Sequence, residues 1–272
     1  MNNILVRTLS GAVFISLILV PLFLENPVYT VGILFLFTTL GIAEYGKLVQ
    51  HANSITINWQ LNTVFSLLIS SLYILKLYAY APWAYEVIFC LVFIWCSTEL
   101  WRKKEQPLIN IGISLFGFVY VCMPLLLAIS IHLTDQHSFP LLAGMFLLIW
   151  TNDTFAFLSG KFFGKTKLFE RISPKKTWEG TIGGILFTLL MAFALSTLFD
   201  PERQLFWIVS VLFIVPAAIY GDLLESLFKR SLGVKDSGNI MPGHGGILDR
   251  FDASFFAIPF FVMWHQLYVY LN

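Results

Sequence analysis

Four clusters of ionisable residues interrupt a chain that is otherwise apolar. Asn152-Asp153-Thr154 lies inside one long apolar run, and Phe157, Gly160 and Lys161 follow Asp153 at helical offsets. Ser173-Pro174-Lys175-Lys176-Thr177-Trp178-Glu179-Gly180, with Gly183-Gly184 just beyond, leads into another. Gly221-Asp222-Leu223-Leu224-Glu225-Ser226-Leu227-Phe228-Lys229-Arg230 closes a third, and helical spacing puts Asp222, Glu225, Ser226 and Lys229 on one face. The fourth runs from Lys235-Asp236-Ser237-Gly238 to Pro242-Gly243-His244-Gly245-Gly246-Ile247-Leu248-Asp249-Arg250-Phe251-Asp252. An ionisable group at membrane depth costs about 2.5–3.5 kcal/mol on insertion scales, which makes each cluster a functional candidate.

The residue types narrow the chemistry. Carboxylates without a Cys or His ligand set suit Mg²⁺ or a similar hard cation. Lysines and glycines beside them suit phosphate, because glycine lets backbone N–H groups approach a ligand closely. Pro174 predicts a helix restarting just after it, which puts Lys175 and Lys176 at a helix amino terminus. Lysines there oppose the helix dipole unless an anion binds. Each cluster also has a plainer reading. Asp153 would be a polar plug, the lysines a membrane anchor, Glu225 and Lys229 an intrahelical salt bridge, and His244 a turn residue rather than a proton carrier. Cys90, Cys96 and Cys122 lie in apolar runs with no Cys-x-x-Cys pair, so neither a zinc site nor a disulfide framework is expected. The residues taken together point to a Mg²⁺-dependent, phosphate-handling site.

The elements that must position these groups are membrane helices. The chain has 272 residues, 57% hydrophobic and only 12% charged, which excludes an ordinary soluble domain. A net charge of +1 gives no global basic field for nucleic acid. Apolar runs of about 20 residues predict an all-α polytopic membrane protein with nine spans. These fall at 8–24, 28–46, 59–79, 83–101, 108–133, 140–160, 178–199, 204–228 and 252–271. Pro124 predicts a kink or break in the fifth. With nine spans, 15 of the 17 Lys and Arg residues fall on one side, and only Lys76 and Arg203 on the other. The positive-inside rule makes the rich side cytoplasmic, together with the amino terminus. Residues 1–150 read as a scaffold and 151–272 as the working half of a single membrane domain, 1–272.

The stretch from Ser226 to Asp252 resembles the signature of phosphatidate cytidylyltransferases, also called CDP-diacylglycerol synthases. The residues that carry it are Ser226-Leu227-Phe228-Lys229-Arg230, Lys235-Asp236 and Pro242 through Asp252. Asp153 with Gly160-Lys161 and Gly164 is similar to a second family motif, and Ser173 through Thr177 with Glu179-Gly180 to a third. Met241 and Phe157 depart from the pattern, and Phe157 lacks the hydroxyl of the expected Tyr. The resemblance implies transfer of CMP from CTP to phosphatidic acid, with release of pyrophosphate. It implies metal ligation by Asp222, Asp249 and Asp252, with Mg²⁺ and room for a second cation. It implies catalytic roles for Asp222, Ser226, Lys229, Arg230, Lys235, Asp236, His244 and Asp249. Substrate contacts would come from Asp153, Ser173, Lys175, Lys176, Thr177, Gly245, Gly246 and Arg250. It further implies a multi-pass protein of the cell inner membrane, its site facing the cytoplasm, working as a homodimer. Two alternatives stay open on the sequence: a cation-coupled transporter, and a CTP-dependent enzyme acting on another lipid.

Overall fold

A computed structural model describes residues 3–52, 55–135, 139–243 and 245–272. Among the described residues, nine helical segments are long and apolar enough to cross a membrane. They are α1 (Asn3–Leu22), α2 (Val28–Val49), α3 (Trp59–Leu77), α4 (Ala84–Ser97) continued by the short α5 (Glu99–Arg102), and α6 (Pro107–Gly117) joined to α7 (Met123–Thr134). α8 (Leu141–Phe163), α9 (Trp178–Leu198), α10 (Gln204–Ser231) and α11 (Leu248–Leu271) complete the set. Each predicted span lies within one of these segments to within a few residues at either end.

The fifth span shows why Pro124 matters. Proline has no N–H to donate, so a regular helical ladder fails there. The turn just before it, Phe118–Cys122, widens into a π-helix, and the Met123 N–H reaches back to the Phe118 carbonyl. The helix stays continuous in direction of chain but changes its winding, which is a milder outcome than a break.

Among the described residues, besides an isolated bridge between Met241 and Gly245, the all-α expectation is modified by a hairpin between α8 and α9. Its strands, β1 (Lys167–Phe169) and β2 (Ser173–Thr177), pair antiparallel with Lys167 opposite Thr177 and Phe169 opposite Ser173. The segment has too few apolar residues to signal a strand by alternation, and its pairing is set by the ends it must join.

The chain forms two compact units. One comprises residues 1–133 and 232–250, the other residues 134–231 and 251–272. In the first, polar contacts tie the helices at depth. Tyr45 on α2 donates to the Ile113 carbonyl on α6 at 3.0 Å. Asn62 on α3 donates to Ser114 at 2.8 Å and accepts from the Trp95 indole at 3.0 Å. Each bond satisfies a group that would otherwise be stranded in hydrocarbon. The glycine-rich loop belongs to this unit, not with the helices that carry the other clusters. In the second unit an aromatic core gathers Phe146, Phe206, Trp207, Phe261 and Trp264. At its edge Arg203 is only 4% exposed. It pairs with Asp200 at 2.6 Å and Asp135 at 3.3 Å, and Asp200 also accepts from the Trp207 indole at 2.8 Å.

The length of α10 decides where its charges lie. Its 28 residues span about 42 Å, against about 30 Å of hydrocarbon, so one end must project into the interface. Lys229 and Arg230 sit in its last turn, so that is the end suited to project.

Candidate active site

The second unit brings together carboxylates from three helices. Asp153 comes from α8, Asp222 and Glu225 from α10, and Asp252 from α11. Asp252 lies within electrostatic reach of Asp222, Glu225 and Asp153, and Asp153 within reach of Asp222 and Lys176. Lys176 reaches in from β2 and pairs with Asp222 Oδ2 at 2.5 Å. Ser226, one turn on, donates to Asp222 Oδ1 at 3.3 Å. Lys229 pairs with Glu225 at 3.0 Å, so the plainer reading of that pair holds. Four carboxylates against two lysines leave this cluster an excess of negative charge. Among the described residues no three His, Cys, Asp or Glu side chains converge as a ready-made metal cage. Mg²⁺ does not ask for one: it is commonly held by one or two carboxylates together with substrate phosphates. An all-oxygen set around Asp222 and Asp252 fits that pattern.

The lysine strand is built differently from expectation. The helix does not restart just after Pro174. Lys175 and Lys176 extend along β2, and α9 begins at Trp178. Thr177 is the cap: its side chain accepts from the Gly180 N–H at 3.2 Å. Glu179 in the first turn accepts from the backbone N–H groups of Lys165 at 3.0 Å and Thr166 at 3.1 Å, which fastens the start of the hairpin to α9. The dipole argument for an anion at these lysines therefore falls away. What replaces it is direct: Lys176 is aimed at the carboxylates, while Lys175 is exposed.

The nearby glycines also take another part. A Cβ on Gly180 would lie 2.6 Å from the Ala156 carbonyl, and one on Gly184 would lie 2.7 Å from Asn152 Oδ1. Gly160 faces Gly180 in the same seam. They let α8 and α9 approach closely, as small residues do between membrane helices. Gly180 and Gly184 are therefore packing residues that hold Asp153 and β2 in place.

In the first unit the glycine-rich loop is organised by two carboxylates. Asp249 Oδ2 accepts from the Ser237 N–H at 2.9 Å, the Ser237 hydroxyl at 2.8 Å and the Gly246 N–H at 2.9 Å. That oxygen is committed to the loop. Glu44 on α2 is the second carboxylate, only 5% exposed. It accepts from the Ile247 N–H at 2.8 Å and from the Leu248 N–H at 3.0 Å, and it shares the single Ser237 hydroxyl proton with Asp249. These are orphan donors at the amino end of α11, where a negative charge also suits the dipole. Gly246 lies so close to the Glu44 carboxylate that no side chain would fit. Gly245 takes φ +84°, and Met241 N–H bonds to its carbonyl at 2.9 Å. Lys235 and Asp236 are exposed beside this turn. His244 lies outside the described residues.

Sequence reasoning passes over Glu44, although an acid inside an apolar run is the signal that singles out Asp153. It also treats Arg7 only as a topological charge. Of the predicted residues, Asp153, Lys176, Asp222, Ser226, Lys229 and Asp252 gather in one unit, and Lys235, Asp236, Gly245, Gly246, Asp249 and Arg250 in the other. Ser173 and Thr177 serve the hairpin and the cap, and Arg230 is exposed at the end of α10.

Helices of membrane-spanning length that gather carboxylates and a lysine suit an enzyme that handles phosphate groups at a membrane. The chain belongs to the cytidylyltransferase family, which it matches over residues 5–268. It is an enzyme of that family, and the transporter alternative is set aside. Among its relatives is the phosphatidate cytidylyltransferase of Haemophilus influenzae, 32% identical over 94% of this chain and 96% of that one. Proteins of the same name in Staphylococcus aureus and Bacillus subtilis are 36% and 40% identical, over 65% and 56% of this chain and 69% and 56% of their own.

Proposed function

We propose that this protein transfers CMP from CTP to phosphatidic acid, giving CDP-diacylglycerol and pyrophosphate. The observation that carries the reading is the similarity, over nearly the whole of both chains, to a relative named phosphatidate cytidylyltransferase. The residues gathered in the second unit support it chemically.

In this reading a phosphate oxygen of the lipid attacks the α-phosphorus of CTP in line. One P–O bond forms, the bond from the α-phosphorus to the α–β bridging oxygen breaks, and pyrophosphate leaves with that electron pair. A phosphate monoester with a second pKa near ~6 is mostly dianionic at neutral pH, so it needs little help from a base. The obstacle is charge, since two polyanions must meet. Asp222 and Asp252 would hold Mg²⁺, which would supply charge neutralisation and stabilise the departing pyrophosphate. Asp222 exchanges its bond to Lys176 for substrate-bound charge, which releases the Lys176 ammonium to a phosphate oxygen. Ser226 holds Asp222 in its rotamer. Lys235 and Arg250 contact phosphate from the loop, and Asp236 orients Lys235. Asp153 adds a second negative charge within electrostatic reach of Lys176, which favours its place at the cluster.

The same reading places the protein in the cell inner membrane, with the amino terminus and the site facing the cytoplasm. The asymmetry of basic residues supports that orientation. By family likeness the working form is a homodimer.

The test is CTP-dependent conversion of phosphatidic acid by the purified protein in detergent micelles containing Mg²⁺, with Asp222→Asn alongside. Formation of CDP-diacylglycerol that needs Mg²⁺ and collapses in the variant is the expected result. A folded wild-type protein that stays inert in bilayers as well as micelles would remove the substrate assignment.

A further inference from the structure

The first unit holds an open recess of about 540 Å³ that none of the preceding chemistry requires in full. Its lining includes Arg7, Lys235, Arg250, Asp236, Asn239 and Gly243. Three cationic side chains face one carboxylate, and among the described residues Arg7, Lys235 and Arg250 make no ion pair with an acid. The Arg250 Nε is buried and has no hydrogen-bond partner among the described residues. A buried guanidinium N–H left without an acceptor is costly, and the cost is recovered when an anion enters. The volume is that of a small-molecule site.

Arg7 is the unexpected member, because it comes from the first helix, far from the clusters in sequence. It is fixed against the loop by two features. Ser10, one turn on, donates to the Pro242 carbonyl at 3.1 Å. Gly243 has φ +78°, and a Cβ there would lie 2.8 Å from Arg7 Cγ. The Pro242-Gly243 turn therefore lies against the stem of Arg7, which lines the recess together with Lys235 and Arg250. Only a residue without a side chain allows this approach, which gives Gly243 a second reason besides its backbone conformation.

We propose that Arg7 is a phosphate-binding residue, closing this recess around a phosphate group together with Lys235 and Arg250. The inference deepens the proposed function and rests on it only for where the phosphate comes from, the triphosphate of the nucleotide or the headgroup of the lipid. Arginine suits either, since its planar head bonds two phosphate oxygens at once.

The experiment uses the full chain in detergent micelles, as wild type, Arg7→Gln and Arg7→Lys. Three quantities are read: the affinity for inorganic pyrophosphate by calorimetry, the KM for CTP and the KM for phosphatidic acid. Arg7→Gln is expected to weaken one of them by about 10–100-fold with kcat little changed, and Arg7→Lys to recover part of the loss. Weaker pyrophosphate binding with a raised KM for CTP assigns the recess to the triphosphate. A raised KM for phosphatidic acid alone assigns it to the lipid headgroup. All three within about twofold of wild type, or a fall in kcat alone, overturns the proposal. If wild type turns nothing over but binds pyrophosphate in an Arg7-dependent way, the recess stands and the proposed function falls. If wild type neither binds nor turns over, both fall. Arg7 is exposed, so an unchanged melting midpoint in Arg7→Gln is expected and guards against misfolding as the cause.

Discussion

Glu44 and Asp249 in one unit, and Asp153, Asp222 and Asp252 in the other, are all acids of membrane helices, yet the protein treats them in opposite ways. The first pair is surrounded by backbone N–H and hydroxyl donors from Ser237, Gly246, Ile247 and Leu248. The second set meets mainly other charges. Asp222 has Lys176 and Ser226, Asp153 has a long contact of 3.5 Å from Asn152, and Asp252 accepts from the neighbouring Ala253 N–H at 2.7 Å. A carboxylate whose oxygens are taken by fixed donors builds structure. One balanced by a mobile ammonium and crowded by like charge is poised to accept a cation or to release its partner to a ligand. The difference lies in the donors, not in the residue type or the depth.

The sharpest way to break this comparison is to remove charge from each set and read both activity and stability. Asp222→Asn is expected to lower kcat/KM by at least about 100-fold, on the scale of losing one transition-state electrostatic contact, while the melting midpoint stays put. A variant that melts early and keeps its specific activity would place Asp222 among the structural acids instead. Glu44→Ala should behave the other way. It strands two backbone donors, each worth about 1–3 kcal/mol when left unmet, so at about 2 °C per kcal/mol the midpoint should fall by roughly 4–12 °C. Loss of activity in Glu44→Ala without a drop in midpoint would contradict the structural assignment.

Two smaller effects refine the picture around these acids. Gly184→Ala pushes a methyl against Asn152 and should cost about 1–3 kcal/mol, seen as a lower midpoint with a raised KM as Asp153 and β2 shift. Gly112→Ala, with open space around its Cβ position, is the control and should melt like wild type. Lys229→Gln tests the weakest claim. Its i,i+4 partner Glu225 is only 2% exposed, so removing the ammonium is expected to lower the melting midpoint with specific activity kept; a large loss of activity at an unchanged midpoint would move Lys229 from helix support into substrate contact.

Much of this was legible before the structure. Nine apolar runs of membrane length have few other solutions, and the stripe Asp222-Glu225-Ser226-Lys229 needed only helical spacing. Pro124 announced a disturbance, although only coordinates distinguish a π-turn from a kink. The hairpin was illegible because residues 167–177 alternate no apolar face; its pairing depends on where α8 ends and on Glu179 gripping Lys165 and Thr166. Gly180 and Gly184 misled, since a glycine near lysines looks the same whether it admits a phosphate or a neighbouring helix. Glu44 was hidden by distance. Its partners Ser237, Ile247 and Leu248 lie some two hundred residues away, and no local pattern announces so remote a cap.

The Arg203 trio bears on how the chain is made. During synthesis a positive charge at a segment's end tends to hold that end on the side where it emerges. Arg203 has Asp200 three residues before it and Glu202 immediately before it, so the arginine's first ionic partner is made in the same short connection ahead of α10. Asp135, made earlier, joins when the start of α10 folds back beside it, and the finished trio is sealed by the Trp207 indole bonded to Asp200. An arginine that would have been a topogenic obstacle becomes, after passage, a rivet between the loop ahead of α8 and the start of α10.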